Sequence, residues 1–74
     1  MNLNQLYYFK TVAKLQHFRQ AANELNVSQP SLSLAISNLE KDLGTYLFER
    51  QGRNVTLTKY GKLYLEYVEE ALSI

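Results

Sequence analysis

The chain has 74 residues, which is enough for one small hydrophobic core and therefore for one domain. It contains no cysteine and a single histidine, His17, so a disulfide framework, a thiolate metal site and a multi-histidine metal site are excluded. The formal net charge is +1, and the longest apolar runs span only a few residues, too short for a membrane span or a signal peptide. We therefore expect a soluble cytoplasmic protein that holds no metal or cofactor.

Two short helices are predicted in the first third of the chain. Asn2 is a good N-cap, and Gln5 stands in the capping-box position three residues later. Apolar residues then recur at spacings of three and four, which predicts a helix over residues 3–15. The next helix is predicted over 18–25. Asn26 is expected to end it, because asparagine tolerates the left-handed conformation.

A third helix is predicted over residues 29–43. Ser28 suits its N-cap, Pro30 lies in the first turn, where no backbone N–H is required, and Gly44 ends the helix. Apolar residues at helical spacing form its expected inward stripe: Leu32, Ala35, Ile36, Leu39 and Leu43. Packing this stripe inward leaves a mixed outer face: Gln29, Pro30, Ser33, Leu34, Ser37 and Lys41.

The outer face of the third helix suits the edges of DNA bases. Gln29 and Ser33 can hydrogen-bond to base edges, while Pro30 and Leu34 can contact thymine methyl groups. The free N–H groups at the start of the helix suit a phosphate. A merely solvated face would carry the same serine and glutamine, so composition alone favours neither interpretation. The tight turn before the helix and the exposed Leu34 favour a recognition surface.

A short β-hairpin is predicted next, with strands at 46–50 and 55–58 around a glycine-containing turn. Arg50 and Arg53 flank Gly52 and would form an extended basic tip, suited to the DNA backbone or minor groove. Basic residues follow one another here with no acidic residue between them: Arg50, Arg53, Lys59 and Lys62. A local basic patch is therefore compatible with the near-neutral net charge of the whole chain. A solvent-exposed turn is the alternative, but after a helix-turn-helix such a hairpin is the expected wing.

The last predicted helix is capped by Thr58 and runs to the end of the chain. One face of it carries a largely aromatic stripe: Tyr60, Tyr64, Tyr67 and Ala71. A small domain cannot cover this stripe fully, so part would pack on the first helix and the rest is a candidate dimer face. The alternative is that all three tyrosines belong to the core.

No group of residues points to catalysis. Glu66, Glu69 and Glu70 fall on the last helix without a nucleophile or histidine nearby, which is typical of a solvated face. The chain also lacks a glycine-rich phosphate-binding loop. These observations argue against an enzyme. A winged-helix module that binds another protein stays open as an alternative, because Leu34 places an apolar side chain on the predicted recognition face.

Residues spread over essentially the whole chain match one known pattern. They are Met1 to Phe9, Phe18, Ala21, Ala22, Val27 to Ser33, Ile36, Leu39, Glu40, Leu43, Gly44, Leu47 to Arg50, Leu57, Thr58 and Gly61. Together they resemble the DNA-binding domain of LysR-type transcriptional regulators. The resemblance implies a mainly α winged helix-turn-helix over residues 1–58, followed at 59–74 by the start of a linker helix that pairs two subunits. It further implies a larger domain, absent from this chain, that binds a small-molecule effector.

By position, the resemblance also implies a set of functional residues and partners. The recognition-helix contacts to double-stranded DNA would be Ser28, Gln29, Pro30, Ser31 and Ser33, to which the exposed face adds Leu34 and Ser37. Arg53 would be the wing contact, with Arg50 near it. The protein would be a homodimer through the linker helix, a tetramer at full length, and located at the nucleoid.

Three positions depart from the pattern of the family. Leu34 stands where an arginine is common, Gln20 replaces a usual basic residue of the second helix, and His17 replaces a usual serine cap. The first two changes remove positive charge from the side expected to face DNA.

Overall fold

The computed structural model describes residues 2–73 and is mainly helical. Its elements in chain order are α1 (Leu3–Leu15), α2 (Phe18–Leu25), α3 (Gln29–Leu43), β1 (Phe48–Gln51), β2 (Asn54–Leu57) and α4 (Lys59–Leu72). The two strands pair antiparallel, so the mainly α arrangement with a hairpin between the third and last helices is confirmed. Within the described part of the chain, none of the helices has the length and apolarity needed to cross a membrane.

A side-chain cap begins each of the four helices. Asn2 and Gln5 form the predicted capping box at α1, and the hydroxyls of Ser28 and Thr58 accept N–H groups at the starts of α3 and α4. His17 caps α2, since its Nδ1 accepts the backbone N–H of Gln20 at 3.2 Å. Because a cap satisfies N–H groups that have no partner within the helix, these local interactions fix where the helices start.

Three left-handed residues end the first three helices. Asn26 has φ 57° and Gly44 has φ 73°, as predicted, and Gln16 closes α1 with φ 55°. The turn that follows Asn26 is tight, because the N–H of Val27 donates to the carbonyl of Ala22 at 3.1 Å. This turn sets the direction in which α3 leaves α2.

The core is built around Phe9, which is fully buried. Its ring lies 5.3 Å from the ring of Phe48 and 5.0 Å from that of Tyr64, measured between centroids. The other buried apolar residues come from every element and from the loop before the hairpin: Val12, Ala13, Phe18, Ala21, Ala22, Leu32, Ile36, Leu39, Leu47, Phe48, Val55 and Val68. One core therefore joins the three-helix unit, the hairpin and α4.

A short β-bridge attaches the hairpin to the junction between α1 and α2. The N–H of Val55 donates to the carbonyl of Gln16 at 3.1 Å, and Asn54 forms a β-bridge with His17. The start of α2 therefore lies beside the second strand, although about 35 residues of sequence separate the two.

The hairpin is shorter and shifted relative to the strands predicted at 46–50 and 55–58. The segment before β1 is used for other contacts: Thr58 Oγ1 donates to the carbonyl of Tyr46 at 2.7 Å. The carboxylate of Glu40 accepts the backbone N–H groups of Leu47 at 2.7 Å and Phe48 at 3.3 Å. These bonds hold the connection between α3 and β1 in place outside the two-stranded ladder.

The predicted burial of the inward stripe of α3 is confirmed except at its last residue, Leu43. Leu32, Ile36 and Leu39 are buried and Ala35 is half-buried, but Leu43 is 37% exposed. The reason is that Leu43 lies in the final turn, where the core gives way to an apolar groove shared with α4.

Candidate nucleic-acid interface

The outer face of α3 is a stripe directly opposite its buried residues. Pro30, Leu34, Ser37 and Lys41 follow one another at spacings of four, three and four, and all are exposed. A residue turns about 100° around a helix, so this spacing keeps the four on one side. Gln29 and Ser31 are exposed at its start, while Ser33 is half-buried at its margin. The structure thus places the sequence-predicted contact residues of α3 around its exposed first turn and along its outer face.

The first turn of α3 is held by a pair of serines. The Oγ of Ser28 accepts the backbone N–H of Ser31 at 3.1 Å and donates to the Oγ of Ser31 at 2.8 Å. The Ser28 hydroxyl is therefore used within the chain as a cap. Gln29 and Pro30, between the two serines, are left projecting from a fixed turn.

The tip of the wing is a two-residue turn. Gln51 pairs with Asn54, so Gly52 and Arg53 form the tip. Gly52 has φ 64°, and a positive φ at the first turn residue is the pattern of a type II′ hairpin. Arg53 is exposed at this tip, as predicted.

Arg50 is not part of the tip, which corrects the prediction that both arginines form it. It pairs with Val55 two steps below the turn, and its guanidinium lies 4.4 Å from the centroid of the Phe18 ring. Such a cation–π contact is worth about 0.5–1 kcal/mol at an exposed site. The contact fastens β1 to the start of α2 and fixes the position of the Arg50 charge.

A cleft of about 350 Å³ lies between the wing, the start of α2 and the start of α3. The residues that line it are His17, Phe18, Arg19, Gln29, Arg50, Gly52, Arg53 and Val55. Three of these described lining residues are arginines and none is acidic, so the cleft has a positive potential that favours an anion. Gln29 lies at the boundary between this cleft and the outer face of α3.

Arg19 is a lining residue that the sequence reasoning missed. The predicted basic patch combined Arg50 and Arg53 with Lys59 and Lys62, but the two lysines lie on α4 and do not line the cleft. Arg19 reaches it because the bridge between His17 and Asn54 brings the start of α2 against the wing. The available signal was its place next to Gln20, a position that the family pattern puts on the side expected to face DNA.

The aromatic stripe of α4 divides between core and surface. Tyr64 is half-buried with its ring edge-on to Phe9, whereas Tyr60, Leu63 and Tyr67 are 51%, 62% and 59% exposed. Ala71 is also exposed. The alternative in which all three tyrosines are core is therefore wrong.

The exposed part of the stripe borders an apolar groove of about 330 Å³. Leu43 and Leu47 form its other side. Burial raises the pKa of the Tyr64 phenol above its ordinary value, and the neighbouring Tyr67 adds to the shift, so the phenol stays neutral at physiological pH. The groove is thus an uncharged apolar surface on the described part of the molecule.

The residues described by the structure include no cluster of three or more histidine, aspartate or glutamate side chains placed to hold a metal ion.

Comparisons with known proteins agree with this geometry. The family model described as "Bacterial regulatory helix-turn-helix protein, lysR family" matches residues 3–62. The uncharacterized HTH-type transcriptional regulator YybE of Bacillus subtilis is 46% identical over 69 residues, which cover 93% of this chain and 24% of that protein. The chain therefore spans about a quarter of the length of that curated relative.

Solved structures with the same fold include complexes with DNA. The BenM DNA-binding domain bound to benA site 1 DNA superposes with a TM-score of 0.93 at 42% identity, over 99% of this chain and 85% of that one. Full-length CbnR with its target DNA gives 0.93 at 40% identity, over 97% of this chain and 25% of that one. The family model covers most of the chain and the fold agrees throughout, so the chain belongs to the lysR family of bacterial regulatory helix-turn-helix proteins, as a helix-turn-helix DNA-binding domain.

Proposed function

We propose that this chain binds double-stranded DNA at specific sequences, with α3 in the major groove and the wing on the minor groove or the backbone. One observation carries the proposal. The exposed outer face of α3 and the arginine-lined cleft meet at Gln29, so one surface combines groups that read bases with groups that bind phosphates. The family consists of transcriptional regulators, and we assign no catalytic site.

Each part of the outer face of α3 has a role in this proposal. Gln29 and Ser33 would hydrogen-bond to base edges, with Ser37 one turn further along. Pro30 and Ser31 would pack against the sugar and base edges, with apolar contact from Leu34. The capped N-terminus of α3 at Ser28 would lie near a phosphate and fix the register on the duplex.

The wing would hold the DNA backbone. Arg53 is exposed at the tip, on a turn whose geometry Gly52 sets, and is the proposed phosphate or minor-groove contact. Arg50 and Arg19 also line the cleft and would add to its positive field, Arg50 while keeping its contact with Phe18. This explains how a chain of net charge +1 can bind a polyanion.

We further propose that two copies pair through α4 as the start of a linker helix. Tyr60, Tyr64, Tyr67 and Ala71 would form the dimer face, extended by the adjoining groove. The two recognition helices would then enter major grooves about one helical turn, roughly 34 Å, apart. The Bacillus subtilis relative is about four times as long as this chain, which supports a further domain in the whole protein. On the family resemblance, we propose that this domain binds an effector and that the whole regulator is a tetramer at the bacterial nucleoid.

Titration of the chain against labelled duplexes at several salt concentrations tests the proposal. DNA binding should weaken steeply with salt, because neutralising each phosphate releases a counterion. A set of duplexes enriched from a random library should bind more tightly than the unselected library. Binding that hardly responds to salt, or no enrichment, would count against DNA and favour a winged-helix module that binds protein.

A further inference from the structure

We propose that Leu34 recognises the 5-methyl group of a pyrimidine, so that the bound DNA site carries thymine or 5-methylcytosine opposite this residue. The inference rests on the proposed binding of α3 in the major groove and adds the identity of one base position. It also makes this position sensitive to cytosine methylation.

The first support is the place of Leu34 on the helix. It lies one turn after Pro30 and one turn before Ser37, in the middle of the stripe that faces away from buried Leu32 and Ile36. A helix that enters a groove presents this central stripe to the base edges. Leu34 is therefore placed to touch bases and not the flanking backbone.

The second support is its exposure among polar neighbours. Leu34 is 62% exposed, and its neighbours at the surface of α3 include Ser31, Ser37 and Asn38. The other large exposed apolar side chains lie on α1, at the end of α3, on α4 or in the loop before β1, away from this stripe. Within the outer face of α3, Leu34 is thus a small apolar spot among polar side chains, the size of a single contact.

The third support is the charge on the two sides of α3. On one side lies the arginine-lined cleft. On the other side Leu34 borders a groove of about 340 Å³ with Asn4, Gln5, Tyr8 and Asn38, and none of the described residues that line this groove is charged. The lining of this groove therefore offers no ionic contact to a phosphate or to the O6 and N7 acceptors of guanine, which are commonly bound by arginine or lysine.

Only one group in the major groove of DNA matches such a surface. Guanine, adenine and unmodified cytosine present hydrogen-bonding groups there that a leucine cannot satisfy and would strip of water, whereas thymine presents a methyl group beside its O4. Burying one methyl group contributes about 0.8 kcal/mol, which corresponds to a roughly four-fold change in affinity. 5-Methylcytosine carries the same methyl group at the same place.

The test begins with duplexes enriched by the 74-residue chain from a random library. Each thymine of the enriched half-site is replaced singly by deoxyuridine, which removes only the methyl group. At one position we expect affinity to fall roughly four-fold for the wild type and to stay unchanged for Leu34→Ala. At that position, a 5-methylcytosine·guanine pair should bind about four-fold more tightly than a cytosine·guanine pair, again only with Leu34 present.

Leu3→Ala is the matched control, because Leu3 is 59% exposed, close to the 62% of Leu34, but lies on α1. This variant should keep the full response to deoxyuridine. If no single deoxyuridine lowers wild-type affinity, or if Leu34→Ala responds like the wild type, the methyl contact is refuted while salt-dependent DNA binding stands. If the library yields no enriched duplex, the proposed function itself fails, and the inference with it.

Discussion

Arg53 and Arg50 lie three positions apart in the sequence but have different surroundings in the structure. Arg53 is exposed at the tip of the wing, whereas Arg50 lies against Phe18 and fastens the wing to α2. A side chain at the tip can meet a phosphate without giving up any contact in the free protein. We therefore expect Arg53 to contribute to affinity for all DNA sequences alike.

Arg53→Ala should weaken binding by a similar factor on enriched and random duplexes. It should also flatten the slope of log affinity against log salt by about 0.9, the effect of one lost phosphate contact. The measurement is fluorescence anisotropy at four or more salt concentrations. Lys14→Ala removes an equal charge from an exposed position at the end of α1, outside the cleft, and serves as the control. An unchanged slope in Arg53→Ala would refute the wing contact.

Gln29 is expected to act differently, because it stands where the outer face of α3 meets the cleft. Gln29→Ala should cost about 1–3 kcal/mol on an enriched duplex, the loss expected for a good base contact, and little on random DNA. Competition titrations with the two kinds of duplex measure both losses. Equal losses on both would mean that Gln29 contacts only the backbone.

Among the secondary-structure elements, α4 packs tightly against the loop before the hairpin at Gly61. A Cβ atom built there would collide with the backbone carbonyl oxygen of Leu47 and lie 2.9 Å from Leu57 Cδ2. Since the carbonyl belongs to the backbone, it cannot swing aside as a side chain could. The absence of a side chain at Gly61 is therefore what lets α4 pack against the loop before the hairpin.

Gly61→Ala should destabilise the fold by about 1–3 kcal/mol, as is typical when a packed site is overfilled. The measurement is urea unfolding followed by circular dichroism. Helix propensity alone would give the opposite sign, about 1 kcal/mol of stabilisation for alanine over glycine. Lys62→Ala, at the exposed neighbouring position, should change stability by less than about 0.5 kcal/mol. A Gly61→Ala variant as stable as the wild type would contradict the close approach.

The helices could be predicted closely from the sequence, because what starts and ends them is local. Asn2, Ser28 and Thr58 each cap a residue three positions ahead, and Gly44 ends α3 through its own φ angle. The limits of the wing were harder to predict. They depend on hydrogen bonds that the backbone N–H groups of Leu47 and Phe48 donate to the distant carboxylate of Glu40.

The composition of the candidate site was only partly predictable for the same reason. The outer face of α3 could be predicted from helical periodicity, which is visible in the sequence itself. The arginine cleft depends on the bridge between His17 and Asn54, a long-range contact that no local pattern encodes. For this reason Arg19 was not predicted as a lining residue. The position of Arg50 was predicted wrongly, because its contact with Phe18 is also a long-range one.

At the scale of the whole molecule, the two proposed binding surfaces lie at different places on the domain and share only α3. The proposed DNA face combines the outer face of α3 with the cleft beside the wing and the start of α2, whereas the apolar groove lies between the end of α3 and α4. Leu63 and Tyr67 together expose a large apolar area that a second copy would cover. A mutation in the apolar groove should therefore prevent two copies from pairing without weakening the binding of DNA by each copy.

Tyr67→Asp should convert a dimer into a monomer, because it places a charge in an apolar interface and removes a ring that is 59% exposed in the single chain. Sedimentation equilibrium measures the association. Tyr46→Asp is the control, since Tyr46 is 76% exposed but does not line the groove, and it should leave association unchanged. On DNA, Tyr67→Asp should keep its affinity for a duplex with one half-site and lose cooperative binding to two half-sites about one helical turn apart. Equal association in both variants would show that the copies do not pair through α4.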